Sequence, residues 1–134
     1  NSNMEVGSVV PFVAMFTNRN GARAGWGVAL AVPVDFTDTI NGSSVDNGAS
    51  SSNGGVAFLQ ILQAAATDSY SIVVEESAND SSWSTVATFT LDASAIGSER
   101  LALSGTLERY LRFTATRSGS AGDTVRLAMS AIRF

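Results

Sequence analysis

The chain has 134 residues, enough for one domain with a sizeable core, and it contains no cysteine and no histidine. Disulfides, thiolate metal sites and histidine-dependent hydrolysis are therefore excluded. All eight cations are arginines against twelve acidic residues, and the resulting net charge of -4 leads us to expect no nucleic-acid partner. No apolar run is as long as a membrane span, so we also expect no membrane partner.

The chain begins NSNMEV, without an initiator Met or a signal-peptide pattern, so we expect a fragment or a processed product of a longer protein. The first strand candidate is VVPFVAMF, at 9–16, where Pro11 indicates an edge strand or a strand start because proline cannot donate to a ladder. NRNGARAG, at 18–25, predicts a turn in which Asn20 and Gly21 suit positive φ. GWGVALAVPV, at 25–34, predicts the second strand.

A long polar stretch follows, VDNGASSSNGGV at 45–56. A phosphate-binding P-loop would need a Lys after its glycines, and this chain has no Lys. A dinucleotide fingerprint would need a strand, the glycines and a helix in one βαβ unit, and no such unit is visible. Too few residues precede the stretch for it to link two independent cores. We interpret it as a long surface connection between strands of one sandwich.

The middle of the chain predicts a strand and then a hairpin. VAFLQILQAAA, at 56–66, is assigned to a strand because of its Gly-Gly entry and its context, although its Leu and Ala content also suits a helix. YSIVVEES at 70–77 and WSTVATFTL at 83–91 flank the polar turn ANDSS. Period-two alternation predicts that one face of the second arm is buried. That face comprises Trp83, Thr85, Ala87, Phe89 and Leu91.

The last third predicts one helical turn at 92–97 (DASAIG) and three more strands, ERLALSG at 99–105, RYLRFTATR at 109–117 and TVRLAMSAIRF at 124–134. Alternation predicts an inward set and an outward set. The inward set is Leu111, Phe113, Ala115, Val125, Leu127, Met129 and Ala131, and the outward set is Tyr110, Arg112, Thr114 and Thr116. About eight strands without a long helix predict an all-β fold, an antiparallel two-sheet β-sandwich of the jelly-roll or immunoglobulin-like kind.

Carboxylates are the remaining candidates for chemistry. Glu75 and Glu76 are strand neighbours on opposite faces, and pairing either with Glu99 or Glu108 would need a cross-sheet contact, so we predict no enzyme. Calcium is the metal that the oxygen atoms of Asp and Asn side chains in loops would suit. No EF-hand spacing occurs, and Asp and Asn also cap turns for local reasons, so we predict no cofactor. The loop residues concerned are Asp35, Asp38, Asp46, Asn47, Asn79, Asp80 and Asp123.

Aromatic and cationic residues supply the candidate binding residues. Trp26 and Tyr110 are candidates for a flat platform that binds sugar rings, whereas Trp83 is predicted to pack in the core. The exclusive use of arginine favours protein–protein contacts, because guanidinium makes bidentate pairs with carboxylates. Base-composition bias would also explain the absence of lysine.

Three segments together resemble a known family: SVDNGASSSNGGVAFLQI (44–61), YSIVVEESANDSSWSTVATFT (70–90) and SERLALSGTLERYLRFTAT (98–116). They resemble a β-domain of virion structural proteins of tailed bacteriophages, often the C-terminal part of major tail or tail-tube-like proteins. The matching motifs are the NGGV entry at Asn53–Val56, the Ser-Asn-Ser-Trp hairpin at Ser77–Trp83 and RYLR at Arg109–Arg112. The resemblance implies a β-sandwich at 40–134, with 1–39 as N-terminal strands ending a preceding domain or arm.

The resemblance implies a non-enzymatic virion protein on the surface of the capsid or tail. Its partners would be copies of itself and the major capsid or tail-tube protein, in a homo-oligomeric arrangement that includes capsid decoration. Arg112, Arg117 and Arg126, on predicted outward faces, are the candidate interface residues. The alternative is a carbohydrate-binding module that adheres weakly to host glycans, because the hairpin with RYLR is also similar to discoidin and carbohydrate-binding sandwiches.

Overall fold

The computed structural model describes residues 27–134 except residue 121. These residues form nine strands and no helix, because short β-branched and aromatic runs alternate with Gly, Ser and Asn turns. The strands are β1 Gly27–Phe36, β2 Ile40–Asn41, β3 Val45–Asp46, β4 Gly55–Gln63, β5 Ser69–Ser77, β6 Ser84–Thr88, β7 Gly97–Leu103, β8 Tyr110–Ser118 and β9 Val125–Arg133.

The strands form two antiparallel sheets. One has four strands in the order β1-β9-β4-β7, and the other has five, with β2-β8-β5-β6 along its path and β3 also pairing with β8. The predicted all-β two-sheet sandwich is confirmed. The residues predicted as strands at 9–16 and as a turn at 18–25 lie outside the described residues, as does Trp26.

β1 lies before the predicted domain boundary at residue 39. It is antiparallel to β9, from Gly27 opposite Ile132 to Phe36 opposite Val125. The prediction that residues 1–39 are N-terminal strands ending a preceding domain or arm stays a prediction.

The core lies between the sheets and follows the predicted alternation in β8 and β9. All seven residues predicted to face inward on these two strands are at most 2% exposed. Thr114 is the exception to the outward set, because it is only 7% exposed. β8 is an interior strand, and Thr114 is opposite Asn41 on one side and Val73 on the other, so its neighbours cover it.

β6 corrects the predicted face of the second hairpin arm. Val74 lies opposite Ala87 but Glu75 lies opposite Thr85, so Val86 is the extra residue of a β-bulge. One extra residue turns every side chain before it to the other face of the sheet. Thr85 and Trp83 are therefore on the outer face with Glu75, and only the later part of the arm faces the core.

One other detail differs from the prediction, and two agree with it. Residues 93–95 form a bend rather than a helical turn, because Ala93 has a φ of 63° and the Asp92 carboxylate accepts from the amide of Ser94. The segment predicted as a strand at 56–66 forms β4 as far as Gln63, and β4 is an interior strand of the four-stranded sheet. The polar stretch at 45–56 is a connection within the sandwich, held by β3 and by backbone hydrogen bonds between Ser51 and Leu107.

Candidate interaction faces of the sandwich

The outer face of the four-stranded sheet carries small and apolar side chains over most of its area. The alternation that turns Leu127, Met129 and Ala131 inward turns Ala128 and Ser130 outward. Cross-strand pairs then place Ser130 between Ala29 and Phe58. This surface, which we call the neutral face, holds a shallow depression of about 680 Å³. Its lining includes Ala29, Val32, Pro33, Phe58, Ala128 and Ser130.

Among the described residues, charges lie at the margins of the neutral face. Glu99, in the edge strand β7, lines the depression, and its carboxylate accepts from the amides of Thr90 and Leu91. At one edge Arg100, in β7, lies over the ring of Phe58 at 5.9 Å from the ring centre. At one end Arg126 pairs with Asp35 through two hydrogen bonds, of 2.5 and 2.6 Å. The neutral face was not among the predicted sites. Its signal in the sequence is that β4 and β9 have apolar residues at outward as well as inward positions, as Phe58 and Ala128 show.

The outer face of the five-stranded sheet is different because its charges are paired. Glu75 and Arg112 are directly opposite on β5 and β8, and their side chains meet at 2.7 Å with only 18% and 22% exposed. The guanidinium carbon of Arg112 also lies 4.1 Å from the ring centre of Trp83. Trp83 is therefore half-buried under a cation on the outer face, not in the core as predicted. Its contact is a cation–π interaction.

The three arginines predicted as interface residues all have partners within the chain. Arg112 bonds Glu75, Arg126 bonds Asp35, and Arg117 donates to the carbonyl of Thr37 at 2.8 Å and lies 3.6 Å from Asp38. Arg126 is about half exposed, whereas Arg112 and Arg117 are mostly covered. Their role in subunit contacts stays a prediction, since nothing in the structure tests it.

The Asp46–Arg109 pair joins β3 to the start of β8. Arg109 donates from Nε and Nη2 to the two carboxylate oxygens, each at 2.7 Å, and the Gly48 amide donates to Oδ1 at 2.7 Å. These hydrogen bonds, first from Arg109 and then from Gly48, lower the pKa of Asp46 from 3.8 to about 2. The same pair raises the pKa of Arg109.

Replacing Arg109 with Met is expected to raise the pKa of Asp46 from about 2 toward, but not to, 3.8, because the Gly48 hydrogen bond remains. NMR titration of the Asp46 carboxyl carbon measures this. Because the folded pKa is the lower one, the pair stabilises the fold above pH 3.8, and that contribution is lost as the pH falls through about 2. Arg126→Met is the matched control and should leave the Asp46 titration unchanged. An unchanged pKa in Arg109→Met would contradict the prediction.

The role of Tyr110 in a sugar platform stays a prediction, and a cation covers one face of its ring. Tyr110 is half-buried, and the Arg109 guanidinium lies 5.0 Å from its ring centre. A sugar ring stacks on a bare aromatic face, and this face already carries a cation. Trp26 is outside the described residues, so its part in the platform stays a prediction.

The acidic residues considered for chemistry are engaged in local contacts. The carboxylate of Glu76 accepts from the amide of Glu108, and that of Glu99 accepts from the amides of Thr90 and Leu91. Asp123 accepts from the amides of Thr67 and Asp68. Within 27–134, residue 121 apart, no three acidic side chains lie together in a group that could hold a metal ion.

The three motifs behind the phage resemblance have structural roles. In the hairpin motif, the Asn79 side-chain oxygen accepts from the amides of Ser81 and Ser82, at 3.1 and 3.0 Å, which closes the turn. In RYLR, Leu111 is fully buried and both arginines are in the ion pairs described above. In NGGV, an added Cβ at Gly54 would collide with the Leu103 carbonyl oxygen. The motifs therefore describe how the domain folds rather than what it binds.

Comparisons with known proteins add a limited finding. No protein-family model and no curated protein matches the sequence. The chain is similar to a chain in the structure of infectious bursal disease virus Gt strain, at 14% identity and a TM-score of 0.44, over 91% of this chain and 37% of that one. The structure of the Gx strain shows 13% identity and a TM-score of 0.43, over 91% of this chain and 36% of that one. This chain spans little more than a third of those chains, and likeness at this level establishes neither a shared fold nor a shared function.

No described residue belongs to a helix long and apolar enough to cross a membrane.

Proposed function

We propose that this protein is a non-enzymatic structural protein of a bacteriophage virion. Its β-sandwich would decorate the capsid or tail lattice, or form part of it, through contacts with copies of itself and with the major capsid or tail-tube protein. The sequence resemblance suggests this class. The observation that supports it best is the neutral face, a broad sheet surface on which the charges of the described residues lie at the margins.

Net charge explains why the neutral face would carry the contacts between copies. Each copy has a net charge of -4, so acidic groups brought close together at a contact would add to the repulsion between copies, and a surface with an uncharged centre avoids that addition. The neutral face presents small side chains such as Ala29, Ala128 and Ser130, which allow close approach and good shape matching. Many weak contacts of this kind in a lattice gain strength by multivalency.

Substituting Ala128 with Glu places a negative charge in the middle of the neutral face and is expected to reduce incorporation into particles at least about tenfold, as one unpaired buried charge costs several kcal/mol. Thr85→Glu is the matched control, since Thr85 is exposed on the outer face of the other sheet. Circular dichroism checks that both variants fold, and quantitative gel analysis of purified particles measures incorporation. Equal incorporation of both variants would refute the neutral face as the contact surface.

The predicted arginine interface needs a charge-preserving test, because simple charge reversal would also break internal pairs. The double variant Arg126→Asp with Asp35→Arg keeps the ion pair but exchanges its two outward charges. Loss of incorporation in this folded double variant would support Arg126 as an interface residue, and normal incorporation would contradict it.

Cryo-electron microscopy of the particles tests the function itself. Density for the domain at symmetry axes of the shell would support capsid decoration, and density in stacked rings would support a tail-tube role. Absence from every particle would refute the proposal. A glycan array probed with the same protein then tests the carbohydrate-binding alternative, which predicts binding that is lost in Trp26→Ala.

A further inference from the structure

Asn-Gly pairs occur at four places in the chain, and those at 41–42, 47–48 and 53–54 lie among the described residues. In such a pair the amide nitrogen of the glycine can attack the side-chain carbonyl carbon of the asparagine, because glycine has no Cβ to hinder the approach. Asparagine is thermolabile for this reason. The pairs have the same chemistry in an unfolded chain, but the fold holds the three described pairs in different ways.

Two of the described pairs have their glycine amides held by hydrogen bonds. The Gly42 amide donates to the carbonyl of Phe113 at 2.9 Å. The Gly48 amide donates to the carboxylate of Asp46 at 2.7 Å. The side-chain nitrogen of Asn47 also donates to two backbone carbonyls, at 3.2 and 3.1 Å. Attack by either glycine nitrogen would first have to break these hydrogen bonds.

The Asn53-Gly54 pair lacks these constraints. Asn53 is exposed, in the bend between the bridge of Ser51 with Leu107 and the start of β4. The Gly54 carbonyl accepts from the amide of Phe134 at 3.0 Å, but within the described part of the chain neither the Gly54 amide nor the Asn53 side chain makes a hydrogen bond. The attacking nitrogen and the side chain that it would attack are therefore both unrestrained by such bonds.

We propose that Asn53 is a site of spontaneous deamidation in the folded protein, with water as the co-reactant. The Gly54 amide nitrogen gives up its proton and attacks Cγ of Asn53. The new N–Cγ bond closes a five-membered succinimide, the Cγ–Nδ2 bond breaks, and the side-chain nitrogen leaves with that proton as ammonia. Water then opens the ring at Cγ to give aspartate, or at the main-chain carbonyl to give isoaspartate. This inference does not depend on the virion role.

The isoaspartate product would alter the backbone at a place with little room. It adds one carbon to the main chain directly before Gly54, which lies so close to β7 that an added Cβ would collide with the carbonyl oxygen of Leu103. Either product also adds a negative charge to a chain whose net charge is already -4. We therefore expect the isoaspartate form to unfold at a lower urea concentration than the unmodified form.

Peptide mapping by mass spectrometry tests the proposal on the full chain, after incubation in mildly alkaline buffer at a temperature at which the chain stays folded. Fragmentation assigns each deamidation to one asparagine. We expect Asn53 to react at least about fivefold faster than Asn41 or Asn47, because reaction at those two must wait for hydrogen bonds to open. A rate at Asn41 or Asn47 that equals or exceeds the rate at Asn53 would overturn the proposal.

The same chain unfolded in urea is the matched control, since it keeps the sequence and removes the hydrogen bonds. We expect the rates at Asn41, Asn47 and Asn53 to become similar there. If Asn53 kept its full lead in urea, the neighbouring sequence and not the fold would explain its reactivity, and the proposal would be wrong.

The variant Asn53→Gln tests the effect of the modification on stability. The glutamine side chain is one carbon longer, so the same attack would close a six-membered ring, which forms much more slowly. After equal incubation, we expect the unsubstituted chain to show a lower urea midpoint than before, whereas Asn53→Gln keeps its own. Unchanged midpoints in both, with isoaspartate detected at residue 53 of the unsubstituted chain, would contradict the expected weakening.

Discussion

Replacing Gly54 with Ala is expected to lower the free energy of unfolding by about 2 to 5 kcal/mol. Two costs add at this position. Gly54 has a φ of +67°, where an L-residue costs about 1 to 2 kcal/mol. Its added Cβ would also collide with the carbonyl oxygen of Leu103, on the neighbouring strand β7, and such overpacking costs about 1 to 3 kcal/mol.

Two other glycines separate these costs. Gly48 has a similar φ of +79° with no atom within 4 Å of an added Cβ, so Gly48→Ala should show the backbone cost alone. Gly55 has no positive φ, but its added Cβ would collide with the carbonyl oxygen of Ile132 on β9. Gly55→Ala should therefore show the steric cost alone. Urea denaturation followed by circular dichroism measures all three variants. If Gly54→Ala and Gly48→Ala lowered the free energy of unfolding by the same amount, the close approach of β4 to β7 would be wrong.

Replacing Leu59 with Ala is expected to cost about 2 to 5 kcal/mol, because it leaves a cavity in the core between the sheets. Leu59 is completely buried in the middle of β4, with β7 and β9 on its two sides. Its neighbours are held by their own strand pairings, so they cannot move far enough to fill the space.

Leu62→Ala is the matched control, since it makes the same chemical change on the same strand. Leu62 is 43% exposed, so its truncation removes less buried surface and leaves no closed cavity. Its expected cost is below about 1 kcal/mol. Urea denaturation gives both values at one temperature. Equal losses in the two variants would mean that Leu59 does not face the core.

The error at Trp83 shows what sequence periodicity cannot detect. Alternation along 83–91 predicts one buried face, and the single extra residue Val86 divides that face between the two sides of the sheet. A bulge depends on the pairing with β5, which is not visible in the residues of β6. The contact of Trp83 with Arg112 was missed for the same reason, because it joins β8 to the start of the hairpin arm.

The candidate sites show a similar division. The sequence indicates which side chains are charged, but it does not indicate which charges neutralise each other. Arg126 and Asp35 are 91 positions apart and meet because β1 and β9 are adjacent. Arg126 was predicted to face outward and to serve subunit contacts, and that role stays a prediction. In the structure Arg126 pairs with Asp35 within the chain, and the neutral face is a surface whose centre carries no charge among the described residues.

The amino-acid sequence alone predicts the all-β class, the core positions of β8 and β9, and the exclusion of histidine and cysteine chemistry. These follow from composition and from period-two alternation, which are local properties of each strand. The folded chain is needed to see the strand order, the bulge in β6, the ion pairs and the neutral face. Each of these depends on which distant strands become neighbours. The arrangement that buries the whole core determines those neighbours, and no single segment does so.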